Sequence, residues 1–341
     1  SVRTELGELL PCVCVDVAPS LGVEAAAQRL IAQMRSVHAD TLHTAVEPEV
    51  VLCADGRRLV PRLQSTALSG TRHDLGQSAS LSQAGSYVVT GGTGGLGLLV
   101  GQWLVERGAS HVALTSRSGQ VSSIGTNEQL WAWLTEQCLA EVVIKRCDVA
   151  SREDVATLMG TLVDQTGLRG IFHLAGVSRS ARFLEQTTQD VQHAWMPKVA
   201  GALNLHRVVM ELCGSGPVLD MFVMFSSQAA VLNNATQASY AAANAGLDGL
   251  ALHRRSMGLC GTSIQWGNWG ETGMLARGEE SGRLIEYLRF MWYGGQGFIS
   301  NNAGLAALDL DSVADERPVE APAPPQSSAS SAGAGKSSPR P

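Results

Sequence analysis

Between Tyr87 and Gln265 the chain repeats one pattern, in which a short apolar run is followed by a longer segment with apolar residues at helical spacing. A strand that is covered on both faces needs apolar side chains on both, so such runs alternating with helices predict βαβ units. The predicted strands are Tyr87–Thr90, His111–Thr115, Glu141–Ile144, Gly170–His173, Met221–Phe225 and Thr262–Gln265. We therefore expect an α/β fold with a doubly wound parallel sheet.

The segment before this repeat has a different pattern. Residues 1–68 combine a short apolar strand at Cys12–Val17, an amphipathic helix at Ala25–Arg35 and a strand–turn–strand pattern at Glu49–Pro61. These elements predict a partial α/β unit that carries no catalytic constellation. Residues 69–85 are rich in Ser, Gly and Gln and are expected to connect this unit to the next one.

The two ends of the chain suggest a part of something longer. Residues 312–341 are rich in Pro, Ala and Ser and predict a flexible linker, because they cannot bury enough apolar surface to fold. The chain begins at Ser1 without a methionine or a signal peptide, so we expect an internal piece of a larger protein. The repeat at 86–311 is then its catalytic part.

Composition excludes several classes of function. A hydrophobic content of 45% and a charged content of 16% are typical of a globular protein, and the net charge of −6 argues against nucleic acid as a partner. No apolar run reaches the ~18 residues that a membrane helix requires. The seven cysteines and eight histidines show no metal-ligand spacing, so we predict no metal, buried free thiols and a cytoplasmic location.

A glycine-rich stretch, Thr90–Gly97, stands directly between a predicted strand and a predicted helix. Glycines let the backbone turn tightly and approach a pyrophosphate, which then lies at the helix N-terminus. A simple turn is the alternative, but the position between strand and helix favours a dinucleotide site. The expected contacts are Gly91, Thr93, Gly94, Gly95, Leu96 and Gly97.

The ends of the following strands indicate which dinucleotide binds. An acidic residue selects NAD at the end of the second strand, but this chain has Ser116 and the cation Arg117 there, which favours the 2′-phosphate of NADPH. The alternative is an ordinary surface arginine. Asp148, followed by Val149, is placed either to contact the adenine or to cap the helix that begins near Ser151.

The end of the next predicted strand is also expected to lie near the cofactor. The strand at 170–173 ends in His173, and Ala175 and Gly176 follow it directly. We expect this stretch to pass close to the ribose groups.

Candidate proton-transfer chemistry centres on Tyr240. Ser227 lies thirteen residues before it, and Asn244 lies one helical turn after it, on the same helix face. A tyrosine with a reference pKa of about 10 needs a nearby cation to work near neutral pH. The chain has three lysines, Lys145, Lys198 and Lys336. Lys336 falls in the tail and Lys145 on the adenine side, so Lys198 is the candidate cation.

These motifs together resemble the ketoreductase domain of a type I modular polyketide synthase, in the short-chain dehydrogenase/reductase superfamily. The ketoreductase of animal fatty acid synthase is similar. The resemblance covers about 49–311 and is carried by four motifs. They are Pro197–Ala202, Phe225–Ser227, Tyr240–Ala245 and Gln265–Gly270 leading to Thr272-Gly273-Met274. It implies a Rossmann-like fold, with residues 1–68 as the rear part of a structural subdomain. It also implies that lysine and asparagine have exchanged the places they hold in most of the superfamily.

The resemblance further implies a reaction and its participants. NADPH would deliver hydride to the β-ketone of an acyl chain held on the phosphopantetheine of an acyl carrier protein, among the other domains of a synthase. Tyr240 would donate the proton, Ser227 would bind the carbonyl, Lys198 would lower the tyrosine pKa and bind the ribose, and Asn244 would hold a relay water. A lid near 274–298 would cover the substrate. The expected substrate and lid contacts are Gln228, Leu232, Trp266, Gly267, Asn268 and Met274.

The chain departs from the family at two fingerprints of alcohol configuration. Ser178-Arg179-Ser180 stands where one branch has Leu-Asp-Asp, and Leu232 stands where another has tryptophan. Because neither fingerprint is present, the configuration of the product stays open at this point, with the absence of Leu-Asp-Asp leaning towards the A-type, L-configured alcohol. Alternatives to a synthase ketoreductase are a fatty-acid-synthase-type reductase, a non-reducing or epimerase-like ketoreductase, a free-standing reductase of small carbonyls and a structural binding module.

Overall fold

The computed structural model of the chain describes residues 14–18, 20–40, 49–60, 81–122, 127–213, 219–232, 235–272 and 298–313. Most of the predicted lid and of the predicted linker, and the connector before residue 81, lie outside these residues.

The N-terminal part forms a small sheet of its own. Strand β1 (Cys14–Val17) pairs in parallel with β2 (Glu49–Leu52), which pairs antiparallel with β3 (Arg58–Leu59), and helix α1 spans Val23–Asp40. The predicted strand–turn–strand pattern is confirmed. Its turn closes through a 2.9 Å hydrogen bond from the Cys53 amide to the Arg57 carbonyl, and Gly56 takes a φ of +94° that favours glycine.

The main sheet has six parallel strands. They are β4 (Ser86–Thr90), β5 (His111–Ser116), β6 (Glu141–Arg146), β7 (Leu168–His173), β8 (Met221–Ser227) and β9 (Thr262–Trp266), in the spatial order β6-β5-β4-β7-β8-β9. All six predicted strands and the predicted α/β class are confirmed. The chain runs outward from β4 to β6 and then crosses to the other side of β4, so the order reverses between β4 and β7, where ligands bind in such sheets.

Seven further helices are described in this part of the chain. They are α2 (Gly95–Glu106), α3 (Asn127–Glu136), α4 (Arg152–Gln165), α5 (Thr188–Trp195), α6 (Gly201–Cys213), α7 (Ala238–Ser256) and α8 (Asn301–Val313). A π-helical turn, Met196–Ala200, joins α5 to α6. Pro197 explains this wide turn, because proline lacks an N–H and its ring clashes with the carbonyl one turn earlier.

Two apolar cores cover the two faces of the main sheet. Successive residues of β4 point to opposite faces, so Val88 joins one core while Tyr87 and Val89 join the other. The first core packs against α4, α6 and α7, and the second packs against α2, α3 and α8. Because all five pairings within the sheet are parallel, the carboxyl ends of its strands lie on one edge.

A short pairing beyond β9 was not predicted from the sequence. Strand β10 (Asn268–Trp269) pairs in parallel with β11 (Phe298–Ile299), and α8 follows directly. Gly304 of α8 lies against the Trp269 ring, where a Cβ atom would fall only 2.0 Å from the ring. This contact attaches the last described helix to the end of the sheet.

Burial of the cysteines only partly matches the prediction. Among the described residues Cys53, Cys138 and Cys147 are free thiols, but only Cys147 is buried, and Cys14 is exposed. The expectation that the thiols are buried is therefore wrong for most of the described cysteines. Within the described ranges, no helix is long and apolar enough to span a membrane.

Candidate active site

Three glycines of the glycine-rich loop, Gly91, Gly92 and Gly97, have no room for a side chain. Gly91 takes a φ of +68°, and a Cβ atom there would fall 3.0 Å from the Ala175 amide nitrogen. A Cβ atom on Gly97 would fall 2.4 Å from the Gly92 Cα. Gly94 caps α2 without a side-chain hydrogen bond, and the first turn of α2 carries no acidic residue. The loop thus leaves backbone N–H groups at a helix N-terminus, which is the environment that a pyrophosphate requires.

Next to this loop, the end of β5 folds back towards it. The Ser116 hydroxyl accepts a 3.1 Å hydrogen bond from the Gly119 amide, and the Ser122 amide donates to the Thr93 carbonyl at 3.2 Å. Arg117 is exposed and is without an ion-pair partner among the described residues. The Gly92 amide donates to the Thr115 carbonyl at 2.9 Å, so the predicted residues Ser116 and Arg117 directly follow a strand residue that is bonded to the loop.

Sequence reasoning missed Arg146 at the same place. It ends β6 and pairs directly with Ser116 of β5, so the two side chains leave the sheet on the same face. The Cβ of Arg146 lies 3.4 Å from the position of a Cβ atom on Gly119. Only the strand register identifies this second cation, since nothing local in the sequence singles it out.

The alternative role of Asp148 as a helix cap is wrong. Ser151 caps α4, and its side chain accepts from the Asp154 amide. Asp148 instead accepts a 3.0 Å hydrogen bond from the Ala150 amide, and its own amide donates to Asp154 at 2.9 Å. The neighbouring Val149 is buried, with its carbonyl bound by Asn204. The adenine contact of this stretch stays a prediction.

His173 is fully buried, with both ring nitrogens hydrogen-bonded inside the protein. Nδ1 lies 2.8 Å from the Thr90 hydroxyl, and Nε2 lies 2.8 Å from the Lys198 carbonyl oxygen. Burial lowers the pKa of His173 to about 4. Any contact of this position with a cofactor would therefore come from its backbone, and the expected passage near the riboses stays a prediction.

Lys198 extends from the π-helical turn into the protein interior. Its side chain is 4% exposed, and Nζ donates to the Phe225 carbonyl at 2.9 Å and lies 5.4 Å from the Tyr240 ring centroid. Burial lowers the pKa of Lys198 to about 8, an effect that Asp248 opposes. A Cβ atom on Gly176 would fall 2.7 Å from the lysine Cε, so the missing side chain there leaves the lysine its space.

Tyr240 and Asn244 share one face of α7, as predicted, and both are buried. Burial raises the pKa of Tyr240 above its ordinary value, and the polar side chains of Asn244 and Ser227 oppose that shift. The Asn244 amide group donates to the Tyr240 carbonyl at 2.8 Å, while its buried Oδ1 has no hydrogen-bond partner among the described residues. Ser227 ends β8 and accepts from the Ala229 amide at 3.2 Å. The structure thus brings the four predicted catalytic residues together at the carboxyl edge of the sheet.

Most of the predicted substrate contacts surround the same edge. Gln228 begins the 3₁₀ turn after Ser227, and a Cβ atom on Gly267 would lie 3.6 Å from its Oε1. Trp266 packs between Phe225 and Trp269 at ring distances of 5.2 and 5.1 Å. Leu232 and Asn268 are also described, whereas Met274 lies outside the described residues.

The stretch around the first configuration fingerprint is fastened at two points. Arg179 forms a 2.8 Å ion pair with Asp190 of α5, whose side chain is only 9% exposed. The Ala181 amide donates to the Thr236 carbonyl at 3.0 Å, which joins this stretch to the segment before Tyr240. Thr236 takes a φ of +64°, which is unusual for a residue other than glycine.

Comparison with known proteins agrees with this geometry. A family model described as "KR domain" matches residues 85–271. The chain is 36% identical over 247 residues to a phenolphthiocerol/phthiocerol polyketide synthase of Mycobacterium tuberculosis, covering 72% of this chain and 12% of that protein. It is 36% identical over 290 residues to erythronolide synthase EryA3 of Saccharopolyspora erythraea, covering 84% of this chain and 8% of that protein. The chain therefore spans about a tenth of the length of these relatives.

Solved structures lead to the same family. A structure titled "Structure of A1-type ketoreductase" superposes with a TM-score of 0.71 at 32% identity, covering 91% of this chain and 60% of that one. One titled "Structure of A-type Ketoreductases from Modular Polyketide Synthase" has a TM-score of 0.69 at 32% identity, covering 92% and 59%. Fold, site and relatives agree, and the chain belongs to the ketoreductase domains of modular polyketide synthases, nicotinamide-dependent oxidoreductases of the short-chain dehydrogenase/reductase superfamily.

Proposed function

We propose that this domain uses NADPH to reduce the β-ketone of a β-ketoacyl thioester, carried on an acyl carrier protein, to a β-hydroxyacyl thioester. The observation that supports this most directly is the position of Lys198. Its ammonium group lies 5.4 Å from the Tyr240 ring centroid, and it arrives from a different helix than Asn244. A tyrosine with a buried cation beside it, next to a dinucleotide loop, is a proton donor for carbonyl reduction.

The residues present fit NADPH. The crowded loop glycines, the N-terminus of α2 that no side chain caps and the exposed cation Arg117 match a pyrophosphate and a 2′-phosphate. Gly91 to Gly97 would hold the pyrophosphate, and Ser116 and Arg117 would hold the 2′-phosphate. When bound, the dinucleotide supplies the hydride.

Proton transfer falls to the chain's own residues. Because burial raises its pKa, Tyr240 keeps its proton at neutral pH, which is the form that a donor needs. Ser227 would hold the substrate oxygen, and Tyr240 would give it the proton. With a pKa of about 8, Lys198 is mostly protonated at pH 7 and would stabilise the tyrosinate that remains. The Oδ1 of Asn244, which has no partner among the described residues, would accept from a water that returns a proton to the tyrosine.

The carrier-bound substrate, the neighbouring synthase domains and a cytoplasmic location are supported by the relatives, which are polyketide synthases many times longer than this chain. Two of the solved structures it superposes on are titled A-type, and the chain lacks the Leu-Asp-Asp fingerprint. We extend the proposal to an A-type, L-configured alcohol. Chiral analysis of the alcohol formed from a diketide thioester tests this, and a D-alcohol would contradict it.

Turnover by the purified protein tests the main proposal. It should oxidise NADPH when given trans-1-decalone or a β-ketoacyl-N-acetylcysteamine thioester, and faster with the acyl group on a carrier protein. Tyr240→Phe should abolish turnover while NADPH still binds. Tyr87→Phe is the matched control, because it removes a phenol oxygen from a buried tyrosine at the opposite end of the sheet. A wild-type protein that reduces no β-ketoacyl thioester would refute the proposal.

A further inference from the structure

One buried contact chain joins the cofactor loop to the catalytic lysine. Thr90 is the last residue of β4, directly before the loop glycines, and its hydroxyl lies 2.8 Å from Nδ1 of His173 at the end of β7. The other ring nitrogen, Nε2, lies 2.8 Å from the Lys198 carbonyl oxygen. Thr90 and His173 are each 0% exposed, so water does not compete for either contact.

The chemistry of these contacts determines which nitrogen carries the proton. A carbonyl oxygen only accepts, so Nε2 must be protonated and donate to Lys198. A neutral imidazole then has a lone pair on Nδ1, which accepts from the Thr90 hydroxyl. The Thr90 oxygen in turn accepts from the Ala175 amide at 3.3 Å. Each donor in this series of hydrogen bonds meets an acceptor, so a single arrangement of protons satisfies every one of the bonds.

The series of contacts ends at the π-helical turn that carries Lys198, and this turn has fewer backbone hydrogen bonds than a regular helix. The π-helical turn Met196–Ala200 contains Pro197, which removes one helical hydrogen bond beside the lysine. His173 also packs against the end of this turn, since a Cβ atom on Gly201 would fall 3.2 Å from its Cε1. The imidazole therefore holds the backbone of the residue whose side chain reaches Tyr240.

We propose that His173 is a positioning residue, which Thr90 holds as the neutral Nε2–H tautomer so that it fixes the backbone of Lys198 and hence the distance from its ammonium group to Tyr240. The role of Lys198 itself rests on the function proposed above. The charged and titratable groups around the chain are consistent with a neutral ring. The Lys198 ammonium lies nearby, Asp248 acts on that lysine, and the pKa of His173 falls to about 4.

The tautomer can be measured without any substrate. In protein with ¹⁵N-labelled histidine, the His173 ring should show a protonated Nε2 and an unprotonated Nδ1, unchanged as the pH falls from 8 to about 5. Thr90→Val keeps the shape of the side chain but removes the hydroxyl, and should alter the Nδ1 signal, whereas Thr90→Ser should restore it. A proton on Nδ1 in the wild type would overturn the proposal, whether or not the protein turns over.

Two substitutions of His173 test the roles of its two ring nitrogens separately. The amide of glutamine occupies the region of Nε2, and that of asparagine occupies the region of Nδ1. His173→Gln keeps a donor for Lys198 and should recover most of kcat, whereas His173→Asn should lower kcat by about 10- to 100-fold. His253→Asn, on the exposed face of α7, is the control for the substitution itself.

The pH profile of kcat distinguishes positioning from a loss of fold. Reduction needs protonated Tyr240 beside a protonated Lys198, and the lysine, with a pKa of about 8, loses its proton first, so the alkaline limb of kcat reports Lys198. If Lys198 leaves its buried position, its pKa rises towards the ordinary value, and the alkaline limb should shift to higher pH in His173→Asn and in Thr90→Val but not in His173→Gln. Equal losses in both His173 variants, or a reduced kcat with the wild-type limb in Thr90→Val, would refute the positioning role. Thr90→Val keeps the test decisive if His173→Asn does not fold.

Discussion

Lys198 and Arg254 are both buried cations among the described residues, but they differ in how many of their N–H donors have hydrogen-bond partners. Lys198 is 4% exposed at the carboxyl edge of the sheet, and Arg254 is 2% exposed near the other end of α7. Neither forms a salt bridge to a carboxylate in the described part of the chain. Arg254 donates to the Cys260 carbonyl at 2.7 Å, bonds Nδ1 of His206 at 2.8 Å and lies 4.0 Å over the Phe222 ring.

Lys198 is left with unused donors. Of its three N–H groups, only the one to the Phe225 carbonyl has a partner in the part of the chain that the structure describes. A buried charge with unused donors costs stability, and such groups are retained where they act on a ligand. From this comparison we expect Arg254 to stabilise the fold, and Lys198 to destabilise it and to act in the proposed reaction.

Replacing Lys198 should have the largest effect on activity, without a loss of stability. Lys198→Met keeps the apolar stem and removes the charge, so kcat should fall by about 10²- to 10⁴-fold. The free energy of unfolding should stay the same or rise, because a desolvated charge is lost. Steady-state kinetics and denaturant unfolding measure the two quantities. A large drop in the free energy of unfolding of Lys198→Met would contradict this difference between the two cations.

Replacing Arg254 should lower stability and leave activity nearly unchanged. Arg254→Met leaves the Cys260 carbonyl and the His206 nitrogen without their donor, and should lower the free energy of unfolding by about 2–4 kcal/mol. The fraction that is folded should keep a kcat within about threefold of the wild type, because these contacts lie away from Tyr240. A loss of kcat in fully folded protein would show that Arg254 also serves the site.

The pH dependence of stability should sharpen the contrast. The pKa of Lys198 is lowered from 10.5 to about 8 in the folded state, so between these values the unfolded chain binds more protons. Stability should therefore rise with pH across that window, by at most about 3 kcal/mol, and this gain should be absent below pH 8. Lys198→Met should lack this rise, while Arg254→Met should retain it. An equal slope in wild type and Lys198→Met would contradict the lowered pKa.

Arg117 extends the comparison to an exposed cation. It has no ion-pair partner among the described residues, and a 2′-phosphate is the anion we expect beside it. Arg117→Ala should weaken NADPH binding about 10-fold, and NADH binding much less, in direct titrations. Lys145→Ala is the control, because Lys145 pairs with Thr115 and leaves the sheet on the other face. Equal effects of Arg117→Ala on both dinucleotides would refute the 2′-phosphate role.

The predictable parts of this molecule are those with a local signal. The six strands followed from apolar runs that both faces of the sheet require, and the glycine loop followed from its place between a strand and a helix. Lys198 could be found because the chain has so few lysines. The need of Tyr240 for a nearby cation joined Lys198 to Tyr240, Ser227 and Asn244, the resemblance to ketoreductases implied their roles, and the structure brings the four together.

The rest depends on contacts between residues far apart in the chain. Nothing local indicates that Arg146 pairs with Ser116, or that Thr90 and Lys198 meet on either side of His173. The pairing of β10 with β11 involves two strands of two residues each, too short for a periodic pattern. The cap of α4 was ambiguous because Asp148 and Ser151 are both good capping residues, and only the backbone geometry decides between them.

The space at Gly176 makes the site vulnerable in a way that no polar residue reveals. A Cβ atom there would stand 2.7 Å from the Lys198 Cε and 3.3 Å from its Nζ. A single methyl group there would therefore force the end of the lysine side chain to move. The domain would keep all four of its catalytic side chains and its glycine loop, and a motif search would still count it as intact. The position of the proposed catalytic cation therefore depends on the absence of one methyl group, at a residue that carries no functional group of its own.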